Sequence, residues 1–467
     1  MRQRIPRAHL RQHQSARSGT VLIVAMWIVL VLAGLVLVFA RAMRVEAAAA
    51  ANYVAGLQAD AIAKAALQIV ISEVDGIDGA TLPDVGKDGQ PLAVGGGWFW
   101  ILNPISADDA TTGDANASLR TYGVRDEASR LNLNTATPEM LLKLPNMTAE
   151  IAASIADWRD GDSDISAGGA ESEYYLLLPD PYTCKNGPFD AVEELLLVRD
   201  VTRELLLGED TDRNGVLGAN ENDGTDTDPA DNRDGHLDRG WIDYLTVHTV
   251  EPNVTAGGET LINVNDANTQ ALSDLLRSVV AQDRFFQTMD RVRSGRPYSS
   301  VLDFYARTGL TAEEFGLMAY DLTASRGQNV RGLVNVNTAP KQVLLCLPGI
   351  EESDADALIS KRQASGTDLT SVAWVAEALS TEKAGGVGEF VTTRSFQFSA
   401  DIVAVDGHGR AFRRFRAVVD ATTAPPRVLA WKDLTHLGWP LDAEIMDSLR
   451  KGTFDPATSG GITAGAS

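Results

Sequence analysis

The sequence predicts an α+β fold led by one long membrane-crossing helix. Three observations carry this: an uncharged apolar run at residues 20–40, three related helical units filling most of residues 128–385, and an alternating segment at 394–421 that reads as a β-hairpin. At 467 residues and 44% hydrophobic content, the chain has room for roughly two to four domains with substantial cores.

Charge is distributed unevenly along the chain. Residues 1–19 hold five arginines and no acid, residues 20–40 hold no charge, and the remainder carries 36 basic against 63 acidic residues. At about 1.5 Å per residue the apolar run spans about 30 Å, the thickness of a bilayer's hydrocarbon core. Arg2, Arg4, Arg7, Arg11 and Arg17 precede it, and the positive-inside rule places that end in the cytoplasm and the acidic body outside. A cleaved secretory signal ending near Ala42 is the alternative, although such signals have apolar cores of only about 7–15 residues.

Gly19 separates the basic leader from the apolar run, so cutting there leaves Thr20 as the new N-terminus. The helix is predicted to continue through "RAMRVEAAAAANYVAGLQADAIAKAALQIVIS", where alanines abound and breakers are few. This rod resembles the first helix of type IV pilins and type II secretion pseudopilins, which prepilin peptidase processes after such a glycine. Most of those chains carry glutamate at the fifth mature position, which here is Val24. A carboxylate in a bilayer costs about 2.5–3.5 kcal/mol and is kept only where it has a partner. In those families the partner is understood to be a neighbouring subunit's terminal amine, so its absence fits a subunit that starts a filament. An ordinary signal anchor predicts the same absence.

"LNLNTATPEMLLKLPNM" (131–147) is echoed by "LVNVNTAPKQVLLCLPGI" (333–350) and more weakly by "LINVNDANTQALSDLL" (261–276). Asn and Thr favour turns and helix starts, and Pro138 and Pro340 fall where a first helical turn tolerates proline. Helix, proline turn, second helix is the predicted pattern. Helix-hairpin-helix units with "LPGIG" turns bind DNA, which makes a membrane-tethered DNA-uptake receptor the rival reading. Against it, the first copy reads "LPNM" without glycine, and the other follows Gly349 with Glu351, Glu352, Asp354 and Asp356. Phosphate binding calls for the opposite charge.

"DTDRNGVLGANE" (210–221) matches the calcium-loop pattern D-x-D-x-N-G-x5-E. Asp210, Asp212 and Asn214 offer side-chain oxygens, Val216 its carbonyl, Glu221 two oxygens, and Gly215 the sharp turn. "AVEELLLVRDVTRELLLG" can enter the loop as a helix, but "NDGTDTDPADNRDG" cannot leave it as one, so a lone calcium loop is expected. A solvated acidic linker is the alternative, and above all for the following run from Asp223 to Asp243. Cys184 and Cys346 allow one disulfide or two buried thiols. The six histidines form no H-E-x-x-H, and no G-x-S-x-G occurs, so no enzyme is expected.

Residues 126–202 contain "DEASRLNLN…LLKLP…IADWRDGD…GGAESEYYLLLPDPYTCKNGPFDAVEELLLVRDVT". With the rod, this closely resembles the K subunit of type II secretion systems, the large minor pseudopilin. The shared positions include Asp160 and Asp162 after Trp158, Glu171, Tyr174-Tyr175, Asn186 and Glu193-Glu194. The resemblance implies a small antiparallel pseudopilin sheet made from two distant pieces, with a large all-α domain of helix-hairpin-helix, SAM-like units inserted into it. The implied layout is leader 1–19, membrane and rod helix 20–74, sheet 75–127, helical units 128–250, 251–330 and 331–388, sheet hairpin 389–425 and tail 426–467. It also implies a single-pass inner-membrane protein at the pseudopilus tip, prepilin peptidase and other pseudopilins (I-type, J-type and major) as partners, no nucleic acid, and calcium in the helical domain. Asp160, Asp162 and Glu171 are further candidate ligands.

Overall fold

The computed structural model describes residues 17–103, 121–255 and 257–457. Residues 1–16 of the expected leader, 104–120 of the first sheet piece and 458–467 of the expected tail lie outside the described residues. The chain divides into two units, residues 1–57 and 58–467.

Helix α1 (Arg17–Val74) accounts for the described part of the first unit. No proline interrupts it, and the side chains from Val21 to Phe39 stand exposed. Among the described residues it is the one helix long and apolar enough to cross a membrane.

In the second unit the last part of α1 has a buried stripe, Ile62, Ala63, Ala66, Val70 and Val74. The three-and-four spacing puts these residues on one helical face. That face packs on an antiparallel sheet built from β1 (Leu92–Val94), β2 (Gly97–Asn103), β3 (Thr121–Tyr122), β4 (Arg125–Asp126), β5 (Gln397–Asp406), β6 (Phe412–Asp420) and β7 (Arg427–Asp433). The main order is β1-β2-β5-β6-β7, with β3 on β2 and β4 on β5. Central β5 sets Ile402 beside Ile101 of β2 and Phe415 of β6. The tight turn after Asp406 holds because that carboxylate accepts the amides of His408, Arg410 and Ala411. Residues between β4 and β5 are thus inserted into the sheet.

Two expectations need correction. Within the expected tail, residues 426–457 are part of the fold: they supply β7, and their helix Ala443–Lys451 buries Met446 and Leu449 against Trp100, Leu102, Val403 and Val405 on the face opposite α1. The apolar run "VLAW" follows "TTAPP" without alternation, so its strand character is invisible to a period-two reading. Nor is the insertion all-helical, because each unit closes by pairing its opening residues with a later strand.

Leu131-Asn132 pairs in parallel with Leu245-Thr246, Ile262-Asn263 with Leu322-Thr323, and Val334-Asn335 with Val391-Thr392. In each unit the first asparagine's side-chain oxygen accepts the amide two residues on, at 2.8–2.9 Å. The second asparagine donates to a distant carbonyl, that of Phe189, Tyr298 or Leu369. An arginine then clamps the turn. Arg159 donates to the carbonyls of Leu133 and Ala136, Arg362 to those of Val336 and Ala339, and Arg296 to that of Val264.

The helix pairs are Pro138–Leu141 with Ala149–Arg159 and Lys341–Leu345 with Glu352–Gln363. Asn146 takes the left-handed φ (56°) that Gly349 takes in the other copy (73°). Asparagine tolerates that conformation better than most residues. The three units share one hydrophobic core, in which Cys184 and Cys346 are separate buried thiols.

Candidate metal centre

The acidic loop follows a broken approach rather than one helix. Val192–Leu197 is a tight 3-10 segment, Asp200 takes a left-handed φ of 61°, and Arg203–Leu207 forms a short helix capped by Thr202. The chain then turns on its own carboxylates. Asp210 accepts the amides of Asn214 (2.9 Å) and Gly215 (3.0 Å), and Asp212 accepts the Asn214 amide at 2.9 Å. The Asn214 side chain donates to Asp212 and accepts the Val216 amide, both at 2.7 Å. Gly215 has φ 75°, which a side chain would strain. Glu221, at the end of the short turn Ala219–Glu221, accepts the Gly218 amide at 2.8 Å.

Carboxylate oxygens of Asp210, Asp212 and Glu221 thereby lie within 4.8 Å of one another, although Asp210 and Glu221 are buried. Burial first, then Asp243 and Asp212, pushes the Asp210 carboxyl up to about 7. Burial also pushes Glu221 up to about 7. Three crowded hard oxygen donors, with Asn214 beside them, are a donor set that fits calcium. The chain would supply Asp210, Asp212, Asn214, the Val216 carbonyl and Glu221; a bound cation would neutralise their mutual repulsion.

The other expected ligands are not gathered in this way. Asp162 accepts the Asp164 amide at 2.9 Å, Asp160 closes the helix Ala149–Arg159, and Glu171 is buried at the start of the turn 172–175. Among the described residues, Asp210, Asp212 and Glu221 form the one such group. Carboxylates of the following run serve its own backbone: Asp231 accepts the amides of Asp223 and Gly224, each at 2.8 Å. Gly19 and Thr20 lie within α1.

Sequence reasoning missed what braces the loop. Arg414, fully buried on β6, donates to the carbonyls of Asp212 (2.7 Å) and Arg213 (2.6 Å) and to both oxygens of Asp401 (3.0 and 2.9 Å). The available signal was Asp401 within a long apolar strand.

Two models of the family described as type II secretion system protein K match residues 124–207 and 334–390. Over those two stretches the chain is similar to the type II secretion system protein K family. The role that goes with this family is that of a minor pseudopilin, a structural subunit. The family matches bracket the acidic loop, the first ending at Leu207. A comparison with curated proteins finds no match. Among solved structures, a chain in the GspK-GspI-GspJ complex from the enterotoxigenic Escherichia coli type 2 secretion system is similar at 12% identity and a TM-score of 0.39. That alignment covers 81% of this chain and 96% of the other.

Proposed function

We propose that this chain is the tip subunit of a type II secretion pseudopilus, initiating or capping its assembly for protein export across the outer membrane. The observation that carries this reading is the uncharged rod at residues 20–40, with Val24 where a buried carboxylate would need a neighbour's amine. A first subunit has no preceding partner to recruit, so the missing charge costs it nothing. The solved Escherichia coli assembly unites K, I and J subunits; I-type and J-type minor pseudopilins and the major pseudopilin are the partners proposed here. The rod anchors the chain once in the inner membrane, with the arginine-rich end cytoplasmic and the acidic body periplasmic. Trp27 and the small residues Ala25, Ala33 and Gly34 give the rod surfaces for close helix approach. Calcium in the acidic loop would hold the first helical unit in one conformation.

N-terminal sequencing of the mature protein tests the reading. Prepilin peptidase cutting after Gly19 leaves Thr20 as the first residue, and Gly19→Ala should leave the leader attached. An intact leader in the unaltered protein, or a start near Met43, removes the pseudopilin assignment.

A further inference from the structure

The acidic loop and the sheet are about two hundred residues apart in sequence, yet β6 grips the loop directly and β7 reaches it through Glu193. Arg414 of β6 has no exposed side-chain surface, and its guanidinium divides its donors between Asp401 and the carbonyls of Asp212 and Arg213. Asp401, 2% exposed, is also held by Arg416 at 3.1 Å. Arg213 takes a left-handed φ of 57° and reaches Glu193 at 3.1 Å; Lys432 of β7 meets the same Glu193 oxygen at 2.6 Å. The backbone of Arg414 is tied in turn to the end of β7, its carbonyl accepting the Leu434 amide at 2.8 Å.

A buried guanidinium must find acceptors for its fixed fork of donors. Those of Arg414 are met only while the Asp212 and Arg213 carbonyls stand where they do, which also fixes the Asp212 carboxylate beside Asp210 and Glu221. We propose that Arg414 is a positioning residue of the cation site, so that calcium binding in the loop and the order of the β6–β7 edge reinforce each other. This rests on the calcium reading of the acidic loop. Arg414 touches no cation: it acts through the Asp212 and Arg213 backbone, as residues behind a metal's direct ligands commonly do. Linkage makes the effect reciprocal, because whatever the sheet contributes to calcium affinity, calcium returns to the sheet.

The test uses the full chain in detergent micelles, with calcium calorimetry and amide hydrogen exchange followed across residues 412–433. Calcium should slow exchange there severalfold, and Glu221→Gln, which keeps Arg414, should abolish the response. Arg414→Lys keeps the charge beside Asp401 but cannot span both carbonyls, and should weaken calcium binding about 10–100-fold. A purely structural arginine would lower stability and leave calcium affinity unchanged, and that result overturns the proposal. Should the lysine variant fail to fold, exchange in the unaltered chain decides: calcium bound with no change at 412–433 overturns the coupling alone. If the unaltered chain binds no calcium, the metal reading falls and the coupling with it.

Discussion

Asn134 and Phe189 exchange a pair of hydrogen bonds: the asparagine amide donates to the Phe189 carbonyl at 3.0 Å, and its oxygen accepts the Phe189 amide at 2.7 Å. Asn265 and Tyr298 repeat the pair in the second unit at 2.9 and 2.8 Å. A side chain thus imitates a strand, joining residues 55 positions apart. Asn134→Asp turns the donor into an acceptor facing the Phe189 carbonyl, and Phe189 is buried. An unsatisfied buried group costs about 1–3 kcal/mol, so a loss of about 2 kcal/mol is expected from urea unfolding of the full chain. A loss below about 0.5 kcal/mol, the size of an ordinary surface change, would show that the pair does not secure the unit.

Asp126 couples the sheet to the third unit. One carboxylate oxygen accepts the Ala128 amide at 2.7 Å; the other accepts Ser395 and Thr338, both at 2.6 Å, and Asn335 at 3.1 Å. Asp126→Asn is nearly isosteric but sets an NH2 group among these donors or leaves the Ala128 amide without its acceptor. The expected loss is about 2–3 kcal/mol, with faster proteolysis between residues 334 and 390. Unchanged proteolysis would mean that the third unit is held without Asp126.

How far the fold was legible depended on whether its cause was local. The apolar run of α1, the turn after Asp406 and the asparagine openings all act through neighbours a few residues away, so periodicity and turn chemistry expose them. The closing strands Leu245-Thr246, Leu322-Thr323 and Val391-Thr392 did not stand out, because two residues establish no period. The turn after Leu144-Pro145 was legible from its proline, although Asn146 takes there the left-handed conformation that Gly349 takes in the other copy. At the candidate metal centre, the spacing of Asp210, Asp212 and Glu221 could be read because one loop supplies all three. Arg414 could not, since its contact with Asp212 follows from the register of β5 and β6.

Calcium should stabilise the full chain against heat and urea. At a free concentration a hundredfold above Kd, binding to the folded state contributes about 2.7 kcal/mol. Asp210→Asn and Glu221→Gln should each lose most of that increment. Glu221→Gln keeps an oxygen for the Gly218 amide and a cooperative transition, whereas Asp210→Asn can accept only one of the Asn214 and Gly215 amides and should also lower calcium-free stability. A chelator should return the unaltered chain to its calcium-free midpoint. Equal calcium-induced shifts in the variants and the unaltered chain would place the binding elsewhere.

Glu193 gives the sheet-to-loop contact a pH signature. Burial alone would raise its carboxyl, but Lys432 and Arg213 overcome this and hold it down at about 2, against an ordinary 4.5. A carboxylate with a depressed folded value contributes stability that is fully present above its unfolded value and lost as pH falls through the folded one. The contribution should therefore decline from about pH 4.5 towards pH 2. Its size, reduced for partial solvent access, is about 1–3 kcal/mol. Glu193→Gln should lower stability at pH 7 by that amount and flatten the change of the urea midpoint between pH 4.5 and 2.5. If the variant keeps the same acid slope as the unaltered chain, the ion pairs with Lys432 and Arg213 contribute nothing to folding, and the contact is held by Arg414 alone.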